Sequence, residues 1–288
     1  MTCQVYYCPL QVAETRLDDE IAGYFGSPED APAKWVLMLR AYIDESGHES
    51  KGWTILAGYL GREEQWKAFV PKWREVLGPQ RKFLHMKSLR WKKDSTRYLL
   101  KRLSPIPEAC GLVGCVGGVR YQDYEDLVTG TPDEKLIRGY VVCLYAMVIQ
   151  VLRGTPKDER IEFVFEEQRQ YEPLVNVILP IIGTLPLHSS DKAWKTTSDG
   201  RLRLAKWGFV PKGSTLMTDP ADYLAFGLRE AWTDSKSKKA QWCKPILTAG
   251  SGEGYGSIMK RATIRTIINN AENEAIWLTV RQRLQGLL

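Results

Sequence analysis

Asp44, Glu166 and Asp222 are the residues of this chain best placed to do chemistry. Asp44 and Glu45 follow an apolar run that begins at Val36, and Ser46 and Gly47 come next. Glu166 closes a second apolar run, Ile161-Glu-Phe-Val-Phe, and Asp222 lies in the segment Thr218-Asp-Pro-Ala-Asp-Tyr-Leu-Ala-Phe, which reads as a helix start. A carboxylate at the mouth of a buried strand is costly unless a basic side chain, backbone donors or a hard divalent cation meets it. If the two strands are neighbours and the helix start packs beside them, three carboxylates converge and repel one another at neutral pH. Bound Mg²⁺ or Mn²⁺ removes that repulsion, because these ions prefer oxygen ligands. A pair of such ions about 4 Å apart can activate water and stabilise the leaving oxygen in phosphodiester hydrolysis.

Each position also has a purely structural explanation. Asp44 and Glu45 could open a turn made by Ser46 and Gly47. Glu166 and Glu167 could be solvated strand-end charges, and alternation alone does not choose between them as the inward residue. Asp222 could complement the helix dipole. Asp219, followed by Pro220, reads as a helix N-cap with proline at the first helical position. His85, in Phe-Leu-His-Met-Lys-Ser, fits a buried structural histidine as well as a catalytic one. Lys87, Arg90, Lys92 and Lys93 surround Trp91, a mixture suited to phosphate contact and base stacking, or to a solvated helix face with one packed indole.

The elements that must position these residues follow from periodicity. Strands are expected over 36–43, with the turn at 47–52, and over 53–60, 110–119, 161–166 and 207–210. Helical spacing marks 63–77, 88–103 with Ser88 as N-cap, 133–153, 171–182, 222–232 and most of 257–288. Residues 1–34 read as an N-terminal extension, 186–203 as an inserted loop or hairpin, and the lysine-rich stretch 235–240 as flexible surface. Strands interleaved with helices predict an α/β domain over 35–288, with a mixed sheet, helices on its faces and a helical C-terminal tail.

Composition narrows the class. The 288 residues carry a net charge of +6, which suits a nucleic-acid partner without requiring one. Six cysteines occur without a Cys-x-x-Cys pair, which argues against a zinc knuckle, and, with the N-terminal and hydropathy readings that follow, the expectation is a reduced, cytoplasmic protein. The N-terminus lacks the basic and apolar regions of a secretory signal, and no uncharged apolar run suits a membrane span.

With these residues in view, the chain resembles a bacterial family known as domain of unknown function 3800 (DUF3800). The matching pieces are Tyr42-Ile-Asp-Glu-Ser-Gly47, the Trp-containing helix, Leu84-His-Met-Lys-Ser-Leu89, the strand end Phe165-Glu166 and Ala221-Asp-Tyr-Leu-Ala225. They span roughly residues 38–232. The resemblance implies a ribonuclease H-like fold with an acidic divalent-metal site. It carries the first-strand acid onto Asp44, the fourth-strand acid onto Glu166 and the late-helix acid onto Asp222, with Glu45 and His85 as further motif positions. The fourth-strand acid, often Asp in the family, is Glu followed by Glu here. The expectation is a Mg²⁺- or Mn²⁺-dependent nuclease of bacterial or phage-related origin that acts on RNA or DNA. Asp44, Glu166 and Asp222 would be its metal ligands, and Lys87, Arg90, Lys92 and Lys93 would contact nucleic acid. The alternative is an inactive nucleic-acid-binding or partner module on the same fold.

Overall fold

The computed structural model describes residues 38–47, 52–129, 138–184, 195–249, 254–261 and 264–265. The extension 1–34, the first part of the insertion and the tail beyond 265 lie outside the described residues. The strands are β1 (Met38–Gly47), β2 (Trp53–Gly61), β3 (Val113–Arg120), β4 (Arg160–Glu166), β5 (Leu204–Val210) and β6 (Gly254–Met259). The helices are α1 (Glu63–Leu77), α2 (Asp94–Leu103), α3 (Ile106–Ala109), α4 (Tyr121–Val128), α5 (Gly139–Gly154), α6 (Glu172–Thr184), α7 (Asp219–Thr233) and α8 (Lys238–Ala249). The six strands form one sheet in the order β5-β4-β1-β2-β3-β6. β2 is antiparallel to β1 and β3, and the other three pairings are parallel. The expected α/β architecture, a mixed sheet flanked by helices, is therefore the one found.

β1 is central and buried on both faces, which is why its sequence reads as nearly continuous apolar residues. One face carries Ala41, Ile43, Leu56, Phe163 and Phe165 and packs against α5 and α6. The other carries Tyr42, Ile55, Tyr59 and Val164 and packs against α1, α2, α7 and α8. The helices thus cover both faces of the sheet, giving three layers. α5 lies so close to the sheet that a Cβ on Gly117 would come within 2.1 Å of the Cys143 carbonyl oxygen, so only glycine fits there.

Several expectations shift. β1 does not stop at Asp44. Its parallel ladder with β4 ends at Ile43–Phe165, but the hairpin with β2 continues through Asp44–Ala57 to Gly47–Thr54. The helix expected from Ser88 starts at Asp94, because the Ser88 hydroxyl is used within a 3₁₀ turn, donating to the His85 carbonyl at 2.8 Å. The stretch expected to be flexible enters α8, where Trp242, Cys243 and Ile246 are buried in the second core. Residues 257–259 are strand rather than helix, since β6 pairs with the exposed edge of β3. The end of the insertion is a small hairpin closed by the Thr196–Leu202 bridge.

Candidate functional site

The face of the sheet that meets α1 and α7 bears three successive rows across β1, β4 and β5. The first is Arg40, Glu162 and Lys206, and the second is Tyr42, Val164 and Gly208. In the third, Glu166 pairs with Val210, and Asp44 stands one residue past the last β1–β4 pair. The first row is an ionic ladder: Glu162 accepts from Arg40 Nε at 2.7 Å and lies 2.9 Å from Lys206 Nζ. The second row is apolar, and the third begins the acidic site.

Lys212, just beyond β5, joins the acids. Its ammonium bonds the Glu166 carboxylate and lies 3.9 Å from Asp44 Oδ2 and 4.0 Å from Asp222 Oδ2. The turn that aims it is fixed by the Ser214 N–H donating to the Pro211 carbonyl at 3.0 Å. Gly213 within that turn has φ +72, and a Cβ there would strike the Phe83 ring at 2.6 Å. Three carboxylates from β1, β4 and α7 thus surround one cation, and all three are buried.

The electrostatics follow from that crowding. Burial first, then the Asp222 and Glu166 charges, raise the Asp44 carboxyl well above the ordinary range, while Lys212 and the Glu45 N–H oppose the shift. That N–H donates to Asp44 Oδ1 at 2.7 Å. Burial pulls the Lys212 ammonium down, but the three carboxylates outweigh it and leave its pKa raised.

Asp222 is further held by the segment that carries His85. The Met86 N–H donates to Asp222 Oδ2 at 3.0 Å, and His85 Nδ1 lies 3.3 Å from the same oxygen. One turn earlier, Asp219 Oδ2 accepts from the Leu84 N–H at 2.7 Å and from Trp73 Nε1 at 3.0 Å. Asp219 is therefore not the N-cap, a position taken by Thr218. It and Asp222 clamp residues 84–86 onto the start of α7.

Of the expected residues, the fold brings Asp44, Glu166, Asp222 and His85 together. It chooses Glu166 over Glu167, which is exposed at the strand end. Glu45 is not part of the cluster. Strand alternation turns it to the opposite face, where its charge, after burial itself, raises the Tyr140 hydroxyl. Lys87, Arg90, Lys92 and Lys93 are exposed on the segment that follows His85. Trp91 is spent on packing, stacked on Phe226 at 5.2 Å with the Lys239 ammonium 5.8 Å from its ring centroid. That contact joins the 87–93 cluster to the lysines that open α8.

Sequence reasoning missed Lys212, one of 40 Lys and Arg residues, in a Pro-Lys-Gly turn with no periodicity to mark it. Among the described residues, no group of three His, Cys, Asp or Glu is drawn to metal-ligating spacing. The carboxylates are arranged around the lysine ammonium instead. Four described cysteines, Cys110, Cys115, Cys143 and Cys243, are free and buried. No helix among the described residues is long and apolar enough to cross a membrane. No protein-family model matches the chain, and no curated protein matches it.

Proposed function

We propose that the chain is a metal-dependent nuclease with a ribonuclease H-like core, working in a reducing, cytoplasmic setting. One observation carries this reading: Asp44, Glu166 and Asp222, from three separate elements, aim buried carboxylates at one cation. The donor set fits Mg²⁺ or Mn²⁺, being wholly carboxylate oxygen, and the repulsion from Asp222 and Glu166 that adds to burial in raising Asp44 is what a divalent charge relieves. The mixed sheet with flanking helices agrees with the resemblance to DUF3800. Asp44, Glu166 and Asp222 would hold the ion. When bound, it supplies Lewis-acid activation of water and charge stabilisation at the leaving oxygen.

The chain's own residues have distinct tasks. The Glu45 and Met86 backbone donors orient Asp44 and Asp222. His85, with its side chain 30% exposed, can reach a phosphate at the mouth of the site while touching Asp222. Lys87, Arg90, Lys92 and Lys93 supply positive charge along the approach for the nucleic-acid backbone.

Asp44→Asn should lower cleavage of labelled RNA and DNA oligonucleotides in Mg²⁺ or Mn²⁺ by about 10²–10³-fold, the order seen when a key electrostatic group is removed from a site. Its circular dichroism should be unchanged. Equal cleavage by wild type and variant, or cleavage indifferent to EDTA, overturns the reading.

Lys212 favours a second reading, an inactive nucleic-acid-binding or partner module whose acids are neutralised by a lysine. That reading predicts salt-dependent binding and no turnover in any divalent metal.

A further inference from the structure

We propose that the apolar row beside the carboxylate cluster is a nucleobase site, seating the base of the nucleotide whose phosphate is cleaved. A cavity of about 230 Å³ lies over this row. Tyr42, Val164 and Gly208 of the row line it, together with Val210 and Met217. Gly208 keeps it open: a Cβ there would meet nothing within 4 Å. The site's place along the strands is regular. Tyr42 precedes Asp44 and Val164 precedes Glu166, each by two residues, and Gly208 of β5 lies beside Val164 in the same row. Two residues of strand span about 6.6 Å, which matches the reach from a nucleotide's phosphate to its base. A phosphate at the carboxylate focus therefore places its base over Val164 and Gly208.

The far wall suits the polar edge of a base. Glu162 and Lys206 line the cavity, the carboxylate shared between Arg40 at 2.7 Å and the Lys206 ammonium at 2.9 Å, which leaves the second lone pair of each carboxylate oxygen and the remaining ammonium protons for a ring edge. Thr215 contributes a hydroxyl at the side. An apolar slot with a donor and an acceptor at one end is the pattern that seats a flat heteroaromatic ring and reads its edge. A lipid tail or an aliphatic side chain would leave the Glu162–Lys206 pair facing apolar surface without reward. The position of the phosphate rests on the nuclease reading, whereas occupancy by a base does not.

The test separates the two. Saturation-transfer NMR with adenosine, guanosine, cytidine and uridine, without metal, reports the base site alone, and the same experiment with the 5′-monophosphates in Mg²⁺ reports base and phosphate together. Wild type should transfer saturation to base protons more strongly than to ribose protons for at least one nucleoside. Gly208→Val, whose side chain grows into open space on a strand, should fold and lose that transfer at least tenfold. Lys206→Met, on the exposed rim, should weaken it at least threefold and serves as the test if Gly208→Val misfolds. No transfer from wild type to any nucleoside or monophosphate, or equal transfer from wild type and both variants, overturns the proposal. Base transfer without cleavage of any nucleic acid keeps the base site and removes the nuclease reading. Cleavage with kcat/KM unchanged in Gly208→Val does the reverse.

Discussion

Lys212 holds three carboxylates to one ammonium, so replacing it has two opposing consequences. Lys212→Met leaves Asp44, Glu166 and Asp222 buried without their counter-charge, and the metal-free protein should melt several degrees lower. It also vacates the point that a divalent ion would claim. Mn²⁺ affinity, read by electron paramagnetic resonance, should rise about tenfold, roughly 1.4 kcal/mol, and Mn²⁺ should restore the melting temperature. Unchanged or weaker Mn²⁺ binding would count against a metal at this cluster. Asp219 offers a second test. Burial, only partly offset by the Leu84 and Trp73 hydrogen bonds, pushes its carboxyl up to about 7. A folded-state pKa above the unfolded value means that stability is fully present below about pH 4 and is lost as pH rises to about 7, by up to about 4 kcal/mol. Asp219→Asn keeps an oxygen to accept both donors and removes the charge, so it should gain on wild type steadily across that window. Parallel melting curves of the two proteins between pH 4.5 and 7.5 would refute this account. In sequence, Asp44 and Asp222 stood out because a charge beside apolar residues is expensive. Asp219 and Lys212 did not, because a Pro neighbour and a turn each gave them an ordinary explanation.

At the scale of elements, the ends of helices matter more than their middles. Arg203, 1% exposed, sends its guanidinium to carbonyls just past α5, including Thr155 at 3.1 Å and Pro156 at 2.7 Å, and to the Glu159 carbonyl at 3.1 Å. It fastens the end of the core helix to the loop leading into β4 and to the start of β5. Arg203→Met should cost about 3 kcal/mol in urea unfolding, because buried carbonyls lose their donors. A loss under about 0.5 kcal/mol would show that water replaces the guanidinium. Nothing in the sequence flags this residue, since an arginine at the end of a polar insertion looks solvated. Periodicity marked α1 and the core of α5 clearly, as their apolar spacing survives in any surroundings. It misplaced β6, because a Gly-rich segment becomes strand only when β3 offers an edge to pair with.

Across the whole molecule, two basic stretches far apart in sequence become one surface. Trp91 stacks on Phe226 and lies 6.1 Å from Trp242, which brings the 87–93 cluster beside Lys238 and Lys239. On the proposed nuclease reading, and with a net charge of +6, this face should account for most of any affinity for nucleic acid. The double variant Lys92→Glu, Lys93→Glu should weaken oligonucleotide binding at least tenfold and flatten its dependence on salt, measured by fluorescence anisotropy at two ionic strengths. An unchanged salt slope would place the binding surface elsewhere. The sequence by itself determined the class of the fold, the hairpin that opens it and the three acids that the fold gathers, because burial periodicity and the cost of a charge beside apolar residues are local properties. Only the tertiary structure decided that Glu166 rather than Glu167 faces Asp44, that Glu45 turns to the other side and that Lys212 stands among the carboxylates. Those facts depend on register and on which face of the sheet meets α7, and neither is encoded within any one segment.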